Sequence, residues 1–115
     1  MTSKEYSQVV ESKQDFYARE NLFPFLRKEC GAEYISQGSS SLRDEWTYHL
    51  DTHSLTAIYS ITKRRTPHTS FHSGRAILRI WGNKENIGEF DRLLEAAEQS
   101  FKKSPKAKPS APDGF

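Results

Sequence analysis

The spacing of apolar residues changes twice along the chain. Through SKEYSQVVESKQDFYARE, Tyr6, Val9, Val10, Lys13, Phe16 and Tyr17 recur at intervals of three and four with the apolar ones on one stripe, the repeat of a single helix face. This predicts a helical N-terminal region covering the first 30 residues. Within it, NLFPFLRKECG predicts a second short helix or a bend. Asn21 can cap, Pro24 suits a first turn, and Gly31 can take the left-handed conformation that closes a helix.

From Ala32 the period shifts toward alternation. AEYISQ, EWTYHLD, SLTAIYSITK and GRAILRIWG are rich in aromatic and β-branched residues and bounded by turn formers, which predicts three or four strands in an antiparallel meander. In the second segment Trp46, Tyr48 and Leu50 share a face. In the fourth, Ala76, Leu78 and Ile80 share one face and Arg75, Ile77, Arg79 and Trp81 the other. Helical spacing returns in NKENIGEFDRLLEAAEQSFKK, where Ile87, Phe90, Leu94, Ala97 and Phe101 form a stripe. Asn83 is placed to cap it, and Glu85, Lys102 and Lys103 complement the helix dipole.

The expected architecture is α+β in two layers: a sheet with N-terminal and C-terminal helices on one face and the other face open. Residues 1–104 read as one domain and 105–115, PKAKPSAPDGF, as a flexible Pro/Lys-rich tail. A chain of 115 residues suits a single core, and its seven Phe, five Tyr and two Trp argue against disorder. Cys30 is the only cysteine, so no internal disulfide is expected. The N-terminus lacks a charged-then-apolar leader, and no apolar run approaches the roughly 20 residues that cross a bilayer. A cytoplasmic protein without membrane association is the expectation.

The net charge of +2 hides a strong asymmetry. From Thr52 through Lys84, 33 residues contain no Asp or Glu but hold Lys63, Arg64, Arg65, Arg75, Arg79 and Lys84, leaving 11 cations among all 15 acids elsewhere. If KRRTPHTSFHSGR joins two strands, its cations fall beside the arginines of the last strand and form a positive patch suited to phosphate. Lys63, Arg64, Arg65, Arg75 and Arg79 are then candidate phosphate contacts. Trp81, Phe71 and Tyr59 are candidate rings for stacking on unpaired bases. A solvated hairpin loop turned by Pro67 and Gly74 would account for the same segment.

Other chemistry is poorly supplied. His49 and His53, like His68 and His72, are four apart, but on a strand that spacing separates side chains by about 13 Å, too far for one ion. With one cysteine and no CxxC pair, neither metal nor cofactor is expected. No GxSxG frame brings Cys30, the serines and the histidines together, and Cys30 reads as a packing residue. The acids of RDE, Arg43 to Glu45, and of the last helix read as solvated charges. GNKENIG, Gly82 to Gly88, reads as a strand-to-helix turn with a cap rather than a phosphate loop.

The order helix, strands, helix resembles that of the double-stranded-RNA-binding domain and other small α+β RNA binders. The resemblance is of order alone: such domains open the final helix with lysines against phosphate, where this chain has Lys84, Glu85 and Glu89. The expected function is a non-catalytic module that binds nucleic-acid phosphate through a basic hairpin and an open sheet face. The alternative is a protein-interaction subunit, such as an adaptor, inhibitor or immunity-like protein, that docks an acidic partner through arginines and aromatics.

Overall fold

The computed structural model describes residues 1–62 and 74–103. In chain order these form strand β1 (Thr2–Val10), helix α1 (Arg19–Cys30), strands β2 (Ala32–Ser39) and β3 (Arg43–Leu50), one 3-10 turn (Asp51–His53), strands β4 (Leu55–Thr62) and β5 (Gly74–Gly82), and helix α2 (Lys84–Lys103). The strands make one antiparallel sheet in the order β1-β5-β4-β3-β2. The fold is therefore α+β, with five strands where three or four were expected.

The extra strand comes from the segment expected to open the protein as a helix. Residues 2–10 fit both periods. Taken as a strand, Tyr6 and Val10 fall on one face with Lys4 and Gln8, and Glu5, Ser7 and Val9 on the other. The strand wins because β5 offers partners along the whole segment, registered from Thr2 opposite Gly82 to Val10 opposite Gly74. An edge ladder satisfies the backbone and buries Val10 completely. This order of elements also departs from the helix-first order of the double-stranded-RNA-binding domain.

Phe16 and Tyr17 are buried as expected, but from a loop rather than a helix. The Asp15 carboxylate accepts the Glu11 and Ser12 amides at 2.6 and 3.2 Å and folds the chain back on itself. Asn21 does not cap α1. It lies in the first turn and its side chain donates backward to the carbonyls of Lys13 and Asp15. Pro24 sits in the interior of α1 rather than its first turn. At the other end the expectation holds: Gly31 has φ +61° and its amide bonds to the Leu26 carbonyl, closing the helix.

Both helices cover the same sheet face. Phe23 of α1 meets the rings of Trp46, Tyr48 and Tyr59 edge-on, each at 5.3 Å between centroids. Phe90 of α2 packs on Tyr6 at 6.0 Å. Between the helices and the sheet lie Leu22, Leu26, Leu50, Leu55, Ile61, Leu78, Ile80 and Leu94, all at most 2% exposed. Among the described residues no helix is long and apolar enough to cross a membrane.

One polar tether pins β1 to α2. The Asp91 carboxylate accepts from Lys4 Nζ at 2.9 Å and from the Tyr6 hydroxyl at 3.0 Å. The Lys4 hydrogen bond is the main force holding the Asp91 carboxyl below the usual carboxylate range, against a smaller contrary push from partial burial and with help from Tyr6.

Two measurements follow from this layering. Leu78 faces the helices and is fully buried, so Leu78→Ala should cost about 2 to 5 kcal/mol in denaturant melts. Arg79, next to it on the exposed face, should cost at most about 1 kcal/mol as Arg79→Ala. Equal losses would mean that both faces are covered. The lowered pKa of Asp91 contributes stability that is complete above its unfolded value and lost as pH falls through the lower folded value. Urea melts between about pH 4 and pH 2 should therefore show a shallower acid loss for Asp91→Asn than for the natural chain.

Candidate functional site

The open face is built by the outward-pointing residues of four strands, which the registers place in rows. At the end where β4 leaves and β5 enters, Arg43 lies opposite Thr62, with Arg75 and Val9 continuing the row. The next row is Glu45, Ser60, Ile77 and Ser7. Then come Thr47, Ile58, Arg79 and Glu5, and last His49, Thr56, Trp81 and Ser3. Alternation puts Ala76, Leu78 and Ile80 at most 0% exposed beneath the helices while Arg75 and Arg79 stay in solvent, as the sequence pattern predicts.

The registers also bring acids to this face, and the charges pair. Arg79 Nη2 meets Glu5 Oε2 at 2.7 Å, and its guanidinium lies 6.0 Å from the Trp81 ring centroid. Arg43 approaches Glu45 at 4.0 Å. Arg75 has a neutral partner, donating to the Ser7 hydroxyl at 3.2 Å. Exposed pairs of this kind are weak and exchangeable, worth about 1 kcal/mol or less. Between the two ion pairs is a shallow depression of about 110 Å³ in which Ile58, Ser60, Ile77 and Trp81 meet. The face thus grades from a cationic end, where Arg43 and Arg75 stand roughly 10 Å apart across two strand spacings, to a neutral centre with apolar and aromatic surface.

Of the residues expected to bind, Arg75, Arg79 and Trp81 share this face. Lys63, Arg64, Arg65 and Phe71 lie outside the described residues, in the segment 63–73 between Thr62 and Gly74. The expected tail, 105–115, also lies outside them.

Tyr59 is a correction. It points to the helices with Leu55, Ala57 and Ile61, is 0% exposed, and donates its hydroxyl to the Tyr17 carbonyl at 2.6 Å. Burial first, then the nearby Glu20 charge, pushes its pKa up, so it stays a neutral donor. It cannot stack on a ligand. The alternation of β4 contained that signal, since Tyr59 falls in register with three apolar neighbours. The partners Glu5 and Ser7 had no such signal, because cross-strand pairing is set by register and not by local sequence, whereas Glu45 lies two residues from Arg43 on the same strand.

The remaining candidates are separated by the fold. His49 lies on the open face, whereas His53 turns to the helix side with its ring 6.2 Å from Phe90. Among the described residues no three His, Cys, Asp or Glu side chains converge as a metal site. Cys30 is fully buried, and burial above all, with the Glu29 charge, pushes its thiol up to about 12, so it is no nucleophile at neutral pH. Asp44 corrects the solvated reading of RDE: it is 4% exposed and accepts from Ser39 Oγ at 2.6 Å. Asn83 caps α2, its Oδ1 accepting the Asn86 amide at 2.8 Å, so the first turn of that helix is served by its own chain.

No protein family matches the chain, and neither a curated protein nor a solved structure matches it.

The separation of Tyr59 from the face is testable. Tyr59→Phe removes the donor from a buried carbonyl and should cost about 1 to 3 kcal/mol in thermal or denaturant melts. An unchanged stability would place the ring outside the core.

Proposed function

We propose that this protein is a small, non-catalytic binding module that takes a nucleic-acid strand across the cationic end of its open sheet face. The observation that supports this reading most is the one-sided charge of the β4–β5 hairpin. Its charged side chains on the open face are the cations Arg75 and Arg79, flanking the half-buried Ile77 and Trp81, and the segment between its strands adds Lys63, Arg64 and Arg65. Arginine suits phosphate because its planar fork donates two hydrogen bonds at once. Trp81 offers a surface on which an unpaired base can stack, with the Arg79 guanidinium beside it.

The acids of the face refine the assignment. Arg43, Arg75 and the three cations of segment 63–73 are the primary phosphate contacts. Arg79 joins them by exchanging Glu5 for phosphate. Phe71 is a second stacking candidate, from the connecting segment. Sequence readout has no obvious source here, so the module binds backbone and stacked bases.

A second reading is docking of an acidic protein. It is favoured by the balanced pairs Arg79–Glu5 and Arg43–Glu45 around the apolar Ile58, Ile77 and Trp81, since arginine and tryptophan are preferred at protein hot spots.

Fluorescence anisotropy with labelled single-stranded and double-stranded oligonucleotides separates the two. Binding should weaken steeply with salt. Arg75→Ala should reduce the slope of log affinity against log salt by about one unit, and Arg64→Ala with Arg65→Ala by about two. Glu5→Gln, which releases Arg79, should strengthen binding severalfold. No binding of either oligonucleotide at low salt rules the nucleic-acid reading out and leaves the acidic-protein reading.

A further inference from the structure

The sheet ends in two edges, and they are guarded differently. β1 carries Lys4 and Glu5 in mid-strand, one held by Asp91 at 2.9 Å and the other by Arg79 at 2.7 Å. β2 has a single charge, Glu33 near its start. From Tyr34 through Leu42, YISQGSSSL, there is neither a charged residue nor a proline. Charges and prolines are the usual means by which an edge strand avoids pairing with another chain. Among the described residues β3 is the only strand neighbour of β2.

The same stretch concentrates exposed apolar surface. Five large hydrophobic side chains are exposed among the described residues, and three of them are Tyr34 at 58%, Ile35 at 55% and Leu42 at 74%. Tyr34 pairs with Tyr48 and Ser36 with Thr47, so Ile35 is an extra residue in a β-bulge. Bulges often protect an edge by twisting it away. Here the bulge adds an apolar side chain instead of a charge, and Ser36 to Ser39 continue in regular register beyond it.

We infer that the β2 edge docks a second copy of this chain, the two β2 strands pairing antiparallel about a two-fold axis to give a continuous ten-stranded sheet. The occupant follows from the order of residues along the edge. In an antiparallel pair the start of each strand lies beside the end of the other. Glu33 is thereby carried toward the partner's hairpin tip, where Arg43 stands, and Tyr34 and Ile35 are carried toward Leu42. Symmetry repeats both matches at the other end of the ladder. The two Glu33 carboxylates fall at opposite ends, and the uncharged middle meets its own copy without like-charge repulsion. Antiparallel pairing of identical strands sets the two-fold axis perpendicular to the sheet. All four helices then lie on one side and the two open faces form one surface on the other.

Sedimentation velocity over a roughly hundredfold range of protein concentration tests this, since a self-association equilibrium shifts by mass action. The natural chain should pass from monomer to dimer. Ile35→Lys and, independently, Gln37→Lys should each weaken dimerisation by about tenfold or more. Val9→Lys, which places the same charge on the other edge, should leave it unchanged. Circular dichroism and melting at the lowest concentration establish that each variant is folded, and two β2 variants guard against the loss of one. A monomer at every concentration overturns the inference, even if it takes up an added strand peptide. So does a dimer that both β2 variants leave intact, or one that Val9→Lys dissociates.

Discussion

The ladder between β1 and β5 brings the first strand of the chain beside the last, and both surfaces of the domain depend on it. Nine residues pair in unbroken register from Thr2 to Val10. On the helix side this puts Tyr6 under Phe90, Lys4 and Tyr6 on Asp91, and the Gln8 side chain where it accepts the Tyr17 amide at 2.8 Å. On the open side the same register puts Glu5 on Arg79 and Ser7 on Arg75. A shift by one residue would exchange these sets, burying Glu5 and Ser7 and exposing Tyr6 and Val10. The tether to α2 and the charge balance of the open face therefore have one cause.

The two faces differ in how they use aromatic residues. On the helix side Phe23 gathers Trp46, Tyr48 and Tyr59 around it, and Phe16 meets Tyr17, Phe25 and Phe101 at 5.6 to 5.7 Å. These edge-on contacts suit the quadrupoles of the rings and fill the core of a chain that is only 35% apolar. On the open side Trp81 lies beside Arg79, half-buried. The same residue types thus build a core on one face and an amphipathic surface on the other, and strand alternation decides which.

Much of this was legible in the sequence because β3, β4, β5 and α2 have one dominant period each. β5 shows it best: Ala76, Leu78 and Ile80 turned inward and Arg75, Ile77, Arg79 and Trp81 outward, as alternation requires. The first 18 residues were not legible because their inward side mixes polar with apolar. Lys4 and Gln8 face the helices at positions a hydrophobic strand pattern would fill, and their partners Asp91 and Tyr17 lie outside the strand. Without that knowledge, the spacing of Tyr6, Val9 and Val10 favours a helix. The misplacement of β1 also hid Glu5, and with it the pairing of Arg79. The open face is accordingly less positive than a count of its arginines suggests, and its cationic end is confined to the row of Arg43 and Arg75.

The account rests on that row being where a ligand meets the protein. Backbone amide shifts measured by NMR during titration with a short single-stranded oligonucleotide at low salt address it most directly. The account predicts saturable shifts at Arg43, Arg75, Ile77 and Trp81, absent from the solvent side of α1 and α2. Shifts centred on the helices, or none at an excess of oligonucleotide, would contradict it.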